Sequence, residues 1–238
     1  MNYTDITYNE ANSMQLRERI TDGDTVFFHF HGGGLEVGSH ECDRNILDAL
    51  YEAGISSVSI NYRHYPNAKY PEFIEDAAEG IAYELNKYKG RFKHIYAGGI
   101  SAGSYISMML FFDKRYLGKY GIDPRDFDGW IFDAGQPTVH FNVLRERGLD
   151  TRLIRVDEAA PIYYITENFT GKLPKLLSFT TTDDMKCRLE QIKLLHATLD
   201  HFKYPSELHS VRVIEGYTHC GYCKEPFYSE MLINFMKN

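Results

Sequence analysis

The run Gly99-Ile100-Ser101-Ala102-Gly103 has the spacing G-x-S-x-G, with an apolar stretch through Ile95, Tyr96 and Ala97 before it and a helical one through Ile106, Met108, Met109 and Phe112 after it. In a strand–turn–helix setting this spacing has a steric cause. A sharp turn lifts the serine above the sheet edge in a strained conformation, and side chains two residues either side would collide. The helix that follows aims its N-terminal amides at the point where negative charge would develop. The chemistry available is nucleophilic attack by Ser101 on an acyl carbon. A plain glycine loop or a phosphate-binding turn is the alternative, but the lysine of a P-loop is absent.

A second run, His29-Phe30-His31-Gly32-Gly33-Gly34, also ends an apolar stretch. Three adjacent glycines are entropically costly, which suggests backbone passing close to a ligand with its N–H groups turned outward. In acyl transfer, such amides and the N–H of the residue after the nucleophile, Ala102, would hold the tetrahedral oxyanion.

With both motifs in place, the chain resembles the α/β-hydrolase fold, and within it the HGGG-type esterases related to hormone-sensitive lipase. His31 and Ser101 lie 70 residues apart, as in that group. Asn61-Tyr62-Arg63-His64-Tyr65-Pro66, then Tyr70-Pro71 and Glu75-Asp76-Ala77, is similar to its tyrosine–arginine–proline stretch and following helix. The resemblance runs from about residue 25 to 223. It implies that Gly33, Gly34 and Ala102 form an oxyanion hole. The group's usual N-terminal cap is longer than the lead-in here, so we expect minimal or no cap. In compactness the chain also resembles small deacetylases and arylformamidases of this fold.

A serine needs a histidine to take its proton and a carboxylate to orient that histidine, and in this fold they follow in the order serine, acid, histidine. His219 sits in the loop Glu215-Gly216-Tyr217-Thr218-His219-Cys220, just after the last apolar strand, and is the expected base. His196 and His201 read as partly exposed helix residues, His140 precedes the acid, and His209 opens the last strand at its far end. For the acid, Asp183 and Asp184 both follow the strand 176–181. The resemblance favours Asp184, because acids of that group often sit in an Asp-x-x-apolar setting and Cys187 fills that slot; Asp183 would then be a helix N-cap. Asp133, after the preceding strand, is a third candidate.

These residues need a sheet whose strand ends meet at one rim. Six short apolar runs read as strands: 25–30, 56–60, 94–97, 130–133, 176–181 and 210–214, with a mixed signal at 14–20. Helical periodicity marks four helices. One carries Ile46, Leu47, Leu50 and Tyr51 and ends at Gly54. Another starts at Pro71 and carries Phe73, Ile74, Ala77, Ala78, Ile81 and Leu85. A third carries Ile192, Leu195, Leu199 and Phe202, and a terminal one Phe227, Met231, Leu232 and Phe235. This alternation predicts one α/β domain with a mostly parallel sheet and helices on both faces. The stretch 134–175 has no clear assignment and reads equally as a small lid or as a crossover helix with a surface loop.

Composition agrees with a globular enzyme: 238 residues, 43% hydrophobic, 25% charged, with 18 Tyr and 15 Phe for a core. A net charge of −7 argues against a nucleic-acid partner, and no apolar run is long enough for a membrane span. The first residues, Met1-Asn2-Tyr3-Thr4-Asp5-Ile6, lack a signal-like pattern, and four cysteines are too few for a disulfide framework, so a cytoplasmic location is expected. Cys220-Gly221-Tyr222-Cys223 is a lone C-x-x-C and reads as two ordinary thiols near the site. Glu36 and His40 could line an entrance or lie on the surface. The expected function is hydrolysis of a small, short-chain carboxylic ester through an acyl-enzyme, with Ser101, Asp184 and His219 as its catalytic residues. No metal or cofactor is required. An aryl formamide or a sugar acetyl ester is the alternative substrate, and a non-catalytic receptor of the same fold is a further one. The sequence leaves a homodimer open.

Overall fold

Residues that alternate along the central strands feed two separate apolar layers. In β3 (Thr25–Phe30), Val26, Phe28 and Phe30 pack on one side of the sheet and Phe27 on the other. In β6 (Gly129–Asp133), Trp130 and Phe132 face the first side and Ile131 the second. Strands buried on both faces must be nearly continuous in apolar residues, and these are. The computed structural model, which describes residues 3–237, closes this arrangement with helices on both faces. The glycine loop and the serine turn thus hang from the middle of a doubly covered sheet.

The sheet has eight strands in the order β1-β2-β4-β3-β5-β6-β7-β8. The remaining strands are β1 (Thr4–Asn9), β2 (Met14–Arg19), β4 (Ser56–Ile60), β5 (His94–Ile100), β7 (Lys175–Asp183) and β8 (His209–Thr218). β1 pairs antiparallel with β2, and β2 with β4; every pairing from β4 to β8 is parallel. Helices α2 (Glu72–Lys87), α3 (Ala102–Phe112) and α6 (Arg188–His201) contribute to the first layer, α1 (Arg44–Glu52) and α7 (Pro226–Lys237) to the second. Two short helices, α4 (Arg115–Gly118) and α5 (Phe141–Glu146), complete the set. Among the described residues, no helix is long and apolar enough to cross a membrane.

Several boundaries differ from expectation. β1 is an edge strand with one buried residue, Tyr8, so it carries no apolar run to read. β5 runs three residues past Ala97 because Gly98 and Gly99, which read as a turn, continue the strand under close packing. A Cβ on Gly98 would lie 2.7 Å from Ile131 Cβ. Pro71 occupies the N-cap of α2, one residue before the helix proper. β8 continues to Thr218 and delivers His219 directly from its end. The stretch 134–175 holds α5, a 3-10 turn at Pro161–Tyr164 and no long crossover helix. It is tied to the glycine loop, since Asn142 Nδ2 donates to Gly34 O at 2.8 Å and Arg145 pairs with Glu36.

The tightest approach is at Gly103, where an added Cβ would stand 2.0 Å from Phe30 O and 2.6 Å from His31 O. Backbone cannot yield as a side-chain tip can. Gly103→Ala should therefore lose about 3 kcal/mol of stability in urea unfolding. Gly216→Ala, at φ +79° with open space around it, should lose only about 1 kcal/mol. Equal losses would contradict this packing.

Candidate active site

Of the six parallel strands, β3, β5, β7 and β8 each hand over a candidate functional group at one rim. β5 ends at Ile100, and Ser101 takes φ 54°, ψ −111° before α3 begins at Ala102. That positive φ is strained for a residue with a Cβ. It is held on one side by Ser101 N donating to Asp133 O at 2.8 Å and on the other by the helix. β3 leads into His31-Gly32-Gly33-Gly34, which passes the serine so closely that a Cβ on Gly32 would sit 3.5 Å from Ser101 Cβ. Gly33 has φ +118° and no room for a side chain, because its Cβ would stand 1.9 Å from Val37 O. The N–H groups of Gly33, Gly34 and Ala102 find no acceptor among the described residues. They remain available to an anion.

β8 ends at Thr218, and His219 Nε2 lies 2.8 Å from Ser101 Oγ. His219 Nδ1 lies 2.5 Å from Asp184 Oδ1. Asp184 is fixed in turn: Met185 N donates to its Oδ1 at 2.7 Å and Thr180 Oγ1 to its Oδ2 at 3.1 Å. The carboxylate is almost wholly buried, whereas His219 keeps some exposure. Burial pushes the Asp184 pKa up, but its bond to His219 and the charges around it prevail and hold it below the usual carboxylate value. For His219, burial opposes the charged form, and Asp184 with the neighbouring Cys220 outweighs it, carrying the pKa up to about 9.

The rival candidates lie elsewhere. Asp183 is exposed and paired with Thr218 in the strand ladder, and it caps no helix, since Cys187 is the N-cap of α6. Asp133 is fully buried and accepts from the Tyr222 hydroxyl and from Cys223 Sγ (3.3 Å), not from His219. Burial raises its pKa to about 6. His196 corrects the sequence reading: it is buried, with Nε2 2.8 Å from Ser178 Oγ and Nδ1 2.9 Å from His209 Nδ1. His140 is the N-cap of α5, and His201 is exposed at the end of α6. His31 is buried and stacked on Tyr62 at 4.4 Å, and burial lowers its pKa to about 4, so it supports the glycine loop as a neutral ring. Glu36 is tied to Arg145, and His40 is buried with its N–H on Asn61 Oδ1.

Among the described residues, two groups of donor atoms are close enough together to hold an ion. Asp133 with Cys220 and Cys223, and Asp5 with His40 and Glu41, each lie within 4.8 Å of one another. In the first, Asp133 is already engaged by Tyr222 and Cys223; in the second, Asp5 and Glu41 are paired with Arg17. Residues that the sequence did not single out also matter here. Thr180 and Tyr222 fix the two carboxylates, and Phe141 closes on Gly34 (3.2 Å from a Cβ placed there). None carries a local signal, because each acts through a partner far away in the chain.

Parallel sheet order, glycine loop and strand–serine–helix turn together define the α/β-hydrolase fold. A family model described as alpha/beta hydrolase fold matches residues 27–123. The chain is similar to the probable carboxylic ester hydrolase LipM of Mycobacterium tuberculosis, at 30% identity over 116 residues, 44% of this chain and 27% of that protein. It is similar also to the probable isoprenylcysteine alpha-carbonyl methylesterase ICMEL1 of Oryza sativa, at 39% identity over 79 residues, 32% and 19% of the two chains. These matches span less than a third of either relative. Among solved structures, Thermogutta terrifontis esterase 2 phosphonylated by cyclosarin superposes with a TM-score of 0.79 at 17% identity, covering 99% of this chain and 94% of the other. Esterase B from Lactobacillus Rhamnosis superposes with a TM-score of 0.78 at 14% identity, covering 99% and 84%.

Because the His219 pKa is raised above its ordinary 6.5, its pairing with Asp184 stabilises the fold fully below that value, and the contribution fades as pH rises through about 9. An NMR titration of the imidazole should show a midpoint near 9 that falls in Asp184→Asn. A midpoint near 6.5, unchanged by that substitution, would contradict the pairing.

Proposed function

We propose that the protein is a serine hydrolase that cleaves short-chain carboxylic esters. The observation that carries the reading is the continuous hydrogen-bonded chain from Ser101 Oγ through His219 to Asp184, beside three free backbone N–H groups. The family match and the esterase names of the relatives agree with it.

In this mechanism Ser101 Oγ attacks the carbonyl carbon while His219 Nε2 takes its proton, and the carbonyl π pair moves onto oxygen. Gly33, Gly34 and Ala102 donate to that oxyanion; one such donor is worth about 3 kcal/mol in the transition state. Asp184 keeps the imidazole oriented and offsets its charge. Collapse re-forms the carbonyl and breaks the bond to the alkoxy oxygen, which leaves as alcohol with the proton from His219. Water, deprotonated by His219, then attacks the acyl-enzyme; the acid departs and the proton returns to Ser101 Oγ. Residues 134–175 serve as a small cap packed on the glycine loop within a single domain. A short acyl group suits so small a cap, and Thermogutta terrifontis esterase 2, of the same fold, has been solved with butyrate bound.

Ser101→Ala should reduce p-nitrophenyl acetate hydrolysis by at least about 10⁴-fold while leaving the unfolding curve in place. Undiminished turnover would overturn the assignment. Only the neutral imidazole can accept the serine proton, so kcat/KM should rise about tenfold per pH unit below the His219 pKa and level off near pH 9. A plateau already reached at pH 7 would refute His219 as the base with this pKa.

A further inference from the structure

Among the described residues three arginines are buried: Arg17 at 6% exposure, Arg19 at 7% and Arg188 at 4%. Arg17 is neutralised by Asp5 and Glu41, and Arg19 by Asp48. Arg188 has no carboxylate partner among the described residues. Its Nη2 reaches only Met185 Sδ, at 3.8 Å, and its Nε is buried without an acceptor. A guanidinium removed from water without a counter-ion is expensive, and the cost is recovered when an anion arrives. Asp184 and Cys220 act on it only through space, and both Asp184 oxygens are taken by His219, Met185 and Thr180.

Arg188 lines a cavity of about 390 Å³ together with Gln136, Phe141, Leu153, Met185 and Gln191. This volume suits a small molecule. The cavity adjoins the reaction centre on two sides, since Phe141 packs on Gly34 and Met185 directly follows Asp184. Arg188 is also the first residue of α6, whose N-cap, Cys187, makes no side-chain capping bond, so the positive end of a 14-residue helix adds to its field. Leu153, Ile154, Phe141 and Met185 give the cavity apolar walls, while Lys186 and Arg152, the latter paired with Asp150, add positive charge to its lining. One end of the cavity thus favours a negative head group and the remainder a short carbon chain.

We propose, resting on the esterase reading above, that the preferred substrates are small esters bearing a free carboxylate, which the Arg188 guanidinium binds. A planar carboxylate matches the donors of a guanidinium better than a neutral group does. Arg188 is thereby a specificity-determining residue.

Two matched pairs of esters test this. Mono-4-nitrophenyl glutarate is compared with 4-nitrophenyl pentanoate, placing the charge on the acyl side; 3-acetoxybenzoate is compared with phenyl acetate, placing it on the alcohol side. In at least one pair the anionic ester should have a kcat/KM at least tenfold higher at low salt, and the preference should shrink as salt is added. Arg188→Met should cut that anion-to-neutral ratio at least tenfold. Calorimetry reads the site without turnover: glutarate should bind to the Ser101→Ala protein, and the further change Arg188→Met should abolish binding. Should Arg188→Met fail to fold, the wild-type ratios and the glutarate titration still decide. Hydrolysis of neutral esters with no anion preference in either pair and no glutarate binding would overturn this proposal while leaving the esterase reading intact. Glutarate binding without turnover of any of the four esters would do the reverse.

Discussion

A single residue links the ends of two elements that could not otherwise meet. Ser101 takes up the whole change of direction between β5 and α3 in one positive-φ step. The step is possible only because Gly99 and Gly103 let the strand, the helix and the end of β3 touch backbone to backbone. The strain must be over-determined by its surroundings, and here it is: Ser101 N is tied to Asp133 O, and α3 is buried along its entire length. Everything else at the rim is arranged around an oxygen that this turn holds fixed.

The two buried carboxylates near that oxygen show how environment separates their roles. Asp184 is surrounded by donors and the imidazole, which favour its charge. Asp133 is fully enclosed, and although a phenol and a thiol donate to it, burial dominates and raises its pKa. The first is suited to support a developing imidazolium; the second, through Tyr222 and Cys223, is suited to brace the 3-10 turn at Gly221–Lys224 that follows His219. Arg188 adds a third buried charge to the same rim, and it alone lacks a bonded counterpart.

Much of this was legible in the sequence because local spacing carried it. The G-x-S-x-G run, the three glycines after β3 and a histidine just past the last strand are each signals within a few residues, and these are the residues that the fold brings together. Asp183 and Asp184 are harder to tell apart, because neighbours at a strand end point to opposite sides; the fold separates them by pairing Asp183 with Thr218 in the ladder and Asp184 with His219. His196 was misread as partly exposed because its partners, Ser178 and His209, come from two other strands. β1 escaped notice because an edge strand need bury only one side chain. Arg188 gave no signal at all, since an arginine in the first turn of a helix is normally solvated. Its burial is a property of the cavity, which the chain builds from distant segments.

A Ser101 hydroxyl activated by His219 and Asp184 should be open to covalent trapping. The protein would be incubated near pH 9 with a diethyl aryl phosphate, then analysed by intact mass and peptide mapping. The account predicts a single diethylphosphoryl adduct, formed stoichiometrically with aryl alcohol release and located on Ser101, with its formation slowed in Asp184→Asn. No adduct, or one on another residue with Ser101 unmodified, would contradict it.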